Sequence, residues 1–291
     1  MSTIDAVIAQ ARRPGNFSER RRFTLARTQA IQKLRQFALA DPAAYILELI
    51  QSAVANGATW IEVVRDSETV TVAYIGGGIP ESALGRLFDF LFASKDDPGL
   101  GYLRELAIGV NALMVFEPEK IIIESGDGTL AGTSRMELLA GEDRLDVGRP
   151  DHALSGTFIR AEGLKRSRNV SRERSIIEMR CLAAPVPILY NSEVMFGHSR
   201  QRAPMLPGAF KRISFDEGDL YGTIGLRDPG SPRNDFALLT RGVLIENVAH
   251  TLVAGSAFGG IICFDGLRKT ADHARIVRDD RMAEMWLRVL P

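Results

Sequence analysis

Apolar residues recur at helical spacing between Pro42 and Asn56, where Ile46, Leu49, Ile50 and Ala53 share one side. Asp41 stands where a capping side chain is needed, and Pro42 takes the first helical position, where its missing N–H costs nothing. Gly57 ends that helix. The pattern then changes to strands, Trp60 to Val64 and Thr69 to Tyr74, joined by the polar turn Arg65-Asp66-Ser67-Glu68, which suits an antiparallel hairpin. Helical spacing returns over Ser82 to Phe92 and Tyr102 to Met114, on either side of a loop-like stretch from Ser94 to Gly101. Strand-like runs follow at Lys120 to Ser125, Gly132 to Leu138 and Gly156 to Ala161. Helices segregated from an antiparallel sheet predict an α+β layer sandwich and not a doubly wound parallel fold.

From Gly163 to Arg174 the chain turns basic and polar, so a domain boundary is expected there, between residues 1–163 and a smaller α/β unit over 164–291. The second half predicts a helix at Ser175 to Ala183, an edge strand at Pro185 to Tyr190, and strands at Tyr221 to Leu226, Phe236 to Ile245 and Ile261 to Phe264. A helix over Ala283 to Val289 closes it. Asn247 to Phe264 holds no Asp, Glu, Lys or Arg and approaches the lower length of a membrane span. Its Asn, His, Thr, Ser and Gly content reads instead as a surface helix through Leu252, a turn at Gly259-Gly260 and a buried strand, so no membrane partner is expected.

Composition narrows the functional classes. At 291 residues, two domains are the natural expectation, and the hydrophobic (45%) and charged (25%) fractions are those of a globular protein. Thirty-six basic residues balance 36 acidic ones, so no net charge drives nucleic-acid or membrane binding. The clusters Lys165, Arg166, Arg168, Arg172, Arg174 and Arg20-Arg21-Arg22 therefore read as solvated faces, with nucleic acid the less favoured partner. Cys181 and Cys263 are far apart, and His152, His198, His250 and His273 lack metal-ligand spacing. No zinc, haem or flavin is called for, and a reducing cytoplasm fits. The N-terminus shows no basic region followed by an apolar core, so no secretory signal is expected.

Candidate chemistry gathers in the first half. Glu48, Ser52 and Ala55 share one helix face within Glu48-Leu49-Ile50-Gln51-Ser52-Ala53-Val54-Ala55-Asn56-Gly57-Ala58-Thr59. Tyr74-Ile75-Gly76-Gly77-Gly78 ends a strand with glycines that permit close approach to the backbone. Ala93-Ser94-Lys95, Leu106-Ala107-Ile108-Gly109 and Ser155-Gly156-Thr157 follow in order. In that order the motifs resemble those of the GHKL superfamily, the ATP-binding fold of gyrase, HtpG-type chaperones, histidine kinases and MutL. Phe236 to Asn247 and Cys263 to Asp279 look like parts of the transducer domain that follows it.

The resemblance implies a GHKL two-layer sandwich followed by a transducer-like domain, with ATP and magnesium as ligands. Glu48 would be the general base. Ser52, Tyr74, Gly76, Gly78, Lys95, Gly109 and Thr157 would line the nucleotide site, and Lys269, Arg275 or Arg278 would sense the γ-phosphate. The metal site is left open, because Ser52 replaces the family's magnesium-binding Asn and Tyr74 the Asp that accepts from adenine. Gln51 or Asn56 in a shifted register is an alternative to the lost Asn. The expected function is an HtpG- or MutL-like conformational switch or scaffold with weakened or altered ATP binding, acting on a protein partner or client polypeptide, with a homodimer as a further expectation. The alternatives are a DNA-associated repair-type ATPase and a nucleotide-free pseudo-ATPase.

Overall fold

Asp41 caps the first helix from the position its type predicts, its Oδ1 accepting the Ala43 N–H at 3.0 Å. A 3₁₀ turn over Pro42–Ala44 leads into α1, Tyr45–Ala55. The computed structural model describes residues 39–93, 99–139, 144–165, 171–196, 202–227, 235–249 and 258–290. Within these, α1 is buried from Tyr45 to Ala53 with no solvent face, as for a helix enclosed between layers. It packs against α3, Gly101–Leu113. Between them lie the short α2, Glu81–Leu84, and a 3₁₀ turn, Leu87–Phe92. The single helix expected over Ser82 to Phe92 is thus broken, with Gly85 closing α2.

Under the helices runs an eight-stranded sheet in the order β5-β4-β3-β6-β2-β1-β7-β8. Its members are β1 (Trp60–Arg65), β2 (Val70–Ile75), β3 (Lys120–Asp127), β4 (Ser134–Leu139), β5 (Arg144–Gly148), β6 (Ser155–Glu162), β7 (Ile188–Tyr190) and β8 (Glu193–Phe196). Alternation places Ile61, Val63, Val70, Val72, Ile121, Ile123, Ile159 and Ala161 in the core, while their neighbours along each strand are more exposed. All pairings are antiparallel except β1 with β7. The Pro185 to Tyr190 run is therefore no edge strand: β7 lies between β1 and β8. Its two prolines precede the paired residues, so no ladder donor is lost. The sheet takes in residues on both sides of the boundary expected at 163/164, and the change to the second sheet comes after β8.

The second sheet, in the order β12-β11-β13-β10-β9, comprises β9 (Ala209–Asp216), β10 (Leu220–Arg227), β11 (Asp235–Thr240), β12 (Val243–Ala249) and β13 (Phe258–Phe264). The run from Phe236 to Ile245 splits at Arg241-Gly242, both at positive φ (50° and 79°), as a two-residue hairpin requires. Gly259 and Gly260 lie inside β13, where a Cβ on Gly260 would come within 2.9 Å of Ile224 Cγ2. Close strand packing, not a turn, uses them. Helix α4, Ser171–Arg180, precedes β7. Helix α5, Asp280–Val289, lies against the second sheet through Met282, Met285 and Val289, with Trp286 edge-on to Phe236 at 5.1 Å between ring centres. One apolar cluster runs from Ile46 in α1 to Val289 in α5. Among the described residues no helix is long and apolar enough to cross a membrane, and the expected helix through Leu252 lies outside them.

Gly156 illustrates how tightly β2 and β6 meet. Its φ is +97°, and a Cβ there would overlap the Tyr74 carbonyl oxygen. Gly156→Ala should therefore cost roughly 1–3 kcal/mol from the backbone alone, with the overlap in addition. Gly148, which has open space around it, serves as the comparison: Gly148→Ala should leave the urea midpoint nearly unchanged.

Candidate functional site

Glu48 lies in the first turn of α1 and is 4% exposed. A buried carboxylate needs partners, and two arrive from the loop that follows β13. Lys269 Nζ donates to Glu48 Oε2 at 2.7 Å and to Gln51 Oε1 at 2.5 Å. His273 Nδ1 lies 2.9 Å from Glu48 Oε1. The loop is closed on itself by a bridge between Lys269 and Ile276 and by the Thr270 carbonyl, which accepts the His273 N–H at 2.9 Å. His273 adopts φ 56°, a left-handed turn conformation.

Burial alone would raise the Glu48 pKa. The charges of Lys269 and His273, with their hydrogen bonds, outweigh that and hold it well below the usual carboxylate range. Around this carboxylate stand further cations. Burial pulls down the pKa of Arg104, Arg180 and Arg241, and the charge of Glu48 opposes the shift in each. Arg241, from the β11–β12 turn, is ion-paired to Glu105 of α3. Gln51 Nε2 donates to Thr240 at 3.1 Å (carbonyl) and 2.8 Å (Oγ1). Two elements of the second sheet, the hairpin turn and the loop after β13, thus converge on one face of α1.

Those of the remaining first-half site residues that are described make their contacts within the protein itself. Ser52 is fully buried and its hydroxyl donates to the Tyr102 carbonyl at 2.8 Å, tying α1 to α3. Tyr74 is 2% exposed, and its hydroxyl accepts from Asn56 Nδ2 at 3.1 Å. Burial pushes its phenol pKa up, against hydrogen bonds from Thr157 and Asn56. Thr157 Oγ1 lies 2.7 Å from Ser125 Oγ, which accepts the Ile79 N–H at 2.8 Å. Gly76 and Gly78 do permit close approach, but what approaches is the chain: a Cβ on Gly76 would be 2.9 Å from Asn56 O, and one on Gly78 3.3 Å from the Gly126 carbonyl carbon. Gly109 lies well inside α3, not at its start, and a Cβ there would come within 2.6 Å of Leu49 Cδ2. Lys95 lies outside the described residues.

Of the three basic candidates in the second half, Lys269 alone reaches Glu48. Arg278 is exposed and pairs with Glu246 at 3.0 Å, and Arg275 is exposed with its N–H bonded to Thr270 Oγ1. Glu105, Arg241 and His273 belong to the cluster without having been expected, and Gln51, expected only as an alternative to the lost Asn, meets Lys269 and Thr240 there. Gln51 carried a signal, standing three residues after Glu48 on the same helix face. Glu105, Arg241 and His273 carried none, since each reaches the site only through the tertiary fold.

Two concavities lie nearby. One, of about 480 Å³, is bounded by Gly78, Glu81, Asp127, Ser134 and Arg149. The other, of about 580 Å³, opens between the end of α1 and the second sheet and is bounded by Gly57, Thr59, Arg202, Tyr221, Arg241 and Asp265. Neither is lined by Glu48, Ser52, Tyr74, Thr157 or Lys269. Among the described residues no group of three or more His, Cys, Asp and Glu side chains is placed to hold a metal ion. In comparison with known proteins, no family model matches the chain and no curated protein matches it.

Proposed function

We propose that the chain is a divergent GHKL-type module, HtpG- or MutL-like, that acts as a conformational switch or scaffold on protein partners, with ATP a weakened ligand. The observation that carries this reading is the buried pair of Lys269 with Glu48, each side chain 5% exposed. A general base works best with a pKa near the working pH, whereas Glu48 is held ionised far below it. In this conformation the carboxylate anchors the second sheet's loop, and activating a water would require that loop to withdraw. A contact with two arrangements, closed and open, is the element a switch needs.

The order of the motifs supports the family reading, and the α+β layering is compatible with it. Weak nucleotide binding is favoured by the surplus of cations around Glu48 and opposed by the buried Tyr74 and Ser52, which offer neither the adenine acceptor nor the metal ligand of the family. Both cysteines are free and buried, which suits a reducing cytoplasm.

Calorimetric titration with magnesium and ATP, run beside phosphate release by the wild type and Glu48→Ala, tests the proposal. The expected result is weak binding, with phosphate release by the wild type no faster than by the variant, whereas silence at millimolar ATP would favour the nucleotide-free alternative. Micromolar binding with turnover lost in Glu48→Ala would overturn it in favour of a working ATPase, and DNA binding that weakens steeply with salt would point to the repair-type alternative.

A further inference from the structure

β9 is the outer strand of the second sheet and, among the described residues, pairs only with β10. It is exposed on both of its faces over nearly its whole length. Phe210 and Ile213 are 70% and 63% exposed, and Met205, just upstream, 74%. Proteins ordinarily guard such an edge by shortening it, bulging it or charging it, because its free N–H and C=O groups template another strand. Here the strand spans eight residues, its one register shift falls at its start, around Phe210, leaving Lys211 to Asp216 regularly paired, and its charges are not a simple guard.

The segment Lys211-Arg212-Ile213-Ser214-Phe215-Asp216-Glu217 is self-complementary about Ser214. Run antiparallel to itself with Ser214 opposite Ser214, it sets Arg212 against Asp216, Lys211 against Glu217 and Ile213 against Phe215. No other overlapping register sets both cations against carboxylates. Directly opposed residues share a face in an antiparallel pair, and in this register the two α5 helices stay on one side of the joined sheet. Asp216 and Glu217 already bind Arg202 and Arg288 within the chain, yet their side chains remain 49% and 55% exposed and retain acceptor capacity.

We infer that β9 is a homodimerisation edge, at which a second copy of this chain pairs antiparallel through a two-fold axis at Ser214 and joins two five-stranded sheets into one of ten strands. The interface is isologous, so each charge pair occurs twice. This inference does not rest on nucleotide binding or on the Glu48 cluster.

Sedimentation of the full chain, up to about 100 µM, where even a micromolar contact is populated, reads the assembly directly. A concentration-dependent dimer is expected. Lys211→Glu and Glu217→Lys should each raise its dissociation constant about ten-fold or more, and the two together should restore it. Circular dichroism and thermal midpoints check that each variant folds.

A covalent readout avoids the charge changes altogether. Ser214→Cys places two cysteines across the axis at a Cα separation of about 4.5–5.5 Å, within disulfide range. Mild oxidation should cross-link it. Lys211→Cys, whose symmetry mate lies about 20 Å away along the strands, should stay uncrosslinked. A chain that remains monomeric at the highest concentration, a double variant that does not regain the dimer, or cross-linking as fast at 211 as at 214 would each overturn the inference.

Discussion

Replacing Lys269 by Ala should destabilise the fold by about 3–5 kcal/mol, because it leaves a buried carboxylate without its main counter-charge. The loss exceeds what the pair contributes on balance, since Glu48 and Lys269 each gave up hydration to enter the core. Replacing both by apolar residues of similar size, Glu48→Leu with Lys269→Met, should therefore recover a large part of the deficit, although Gln51 and His273 then lose a partner. Urea unfolding of the two single variants and the double decides it. A deficit below about 1 kcal/mol for Lys269→Ala would be that of a solvated pair and would remove the argument for a buried anchor.

The same contact has a pH signature whose sign is fixed. The folded pKa of Glu48 lies below the unfolded value of about 4.3, so its contribution is fully present above that pH. It fades as pH falls through the acid range toward the folded value. The stability difference between wild type and Glu48→Gln should thus shrink as pH falls below about 4.3.

Arg65→Met should produce a loss of similar size, about 3–5 kcal/mol, at a second buried ion pair. Arg65 Nε donates to Glu173 Oε1 at 3.1 Å with side-chain exposures of 0% and 2%, and Tyr45 Oη donates to the same oxygen at 3.1 Å. Methionine would fill much of the volume but leave the Glu173 carboxylate with a neutral phenol as partner. Burial and the Glu173 charge already push the Tyr45 pKa well above its usual value, so the phenol stays protonated and meets the carboxylate as a neutral donor. Glu173→Gln combined with Arg65→Met should be milder than Arg65→Met alone. Thermal midpoints of the three proteins would show this, and an Arg65→Met protein as stable as wild type would mean that α4 is held by its apolar contacts through Ile176 and Ile177.

Local chemistry was legible wherever it acted locally. Asp41 and Pro42 marked the start of the first helix, and strand-like runs bounded by polar and glycine turns marked β1, β2, β3 and β6. β9 was missed because its residues, exposed on both faces, carry no alternation to read. β5 and β8 were missed as edge strands of only five and four residues, too short for a pattern to stand out. At the site, helix periodicity put Glu48 and Gln51 on one face, but it could not choose among Lys269, Arg275 and Arg278. That choice depends on a closed loop and on where the second sheet lies. Tyr74 shows the converse. Its position at the end of the strand was read correctly, yet which way the phenol faced depended on Asn56 and Thr157, brought together by tertiary packing.

The pairing of β7 with β1 also bears on how the chain is made. Asn191, in the turn after β7, bonds to both backbone groups of Arg65 across 126 residues of sequence. During synthesis at about 5–20 residues per second, β1 emerges roughly 6–25 s before the segment that covers its open side. For that interval a half-built sheet presents an unpaired apolar border to solvent or to neighbouring nascent chains. Slower translation of the intervening stretch would lengthen the exposure, so yield in the cell should depend on the tempo of the ribosome as well as on the stability of the finished protein.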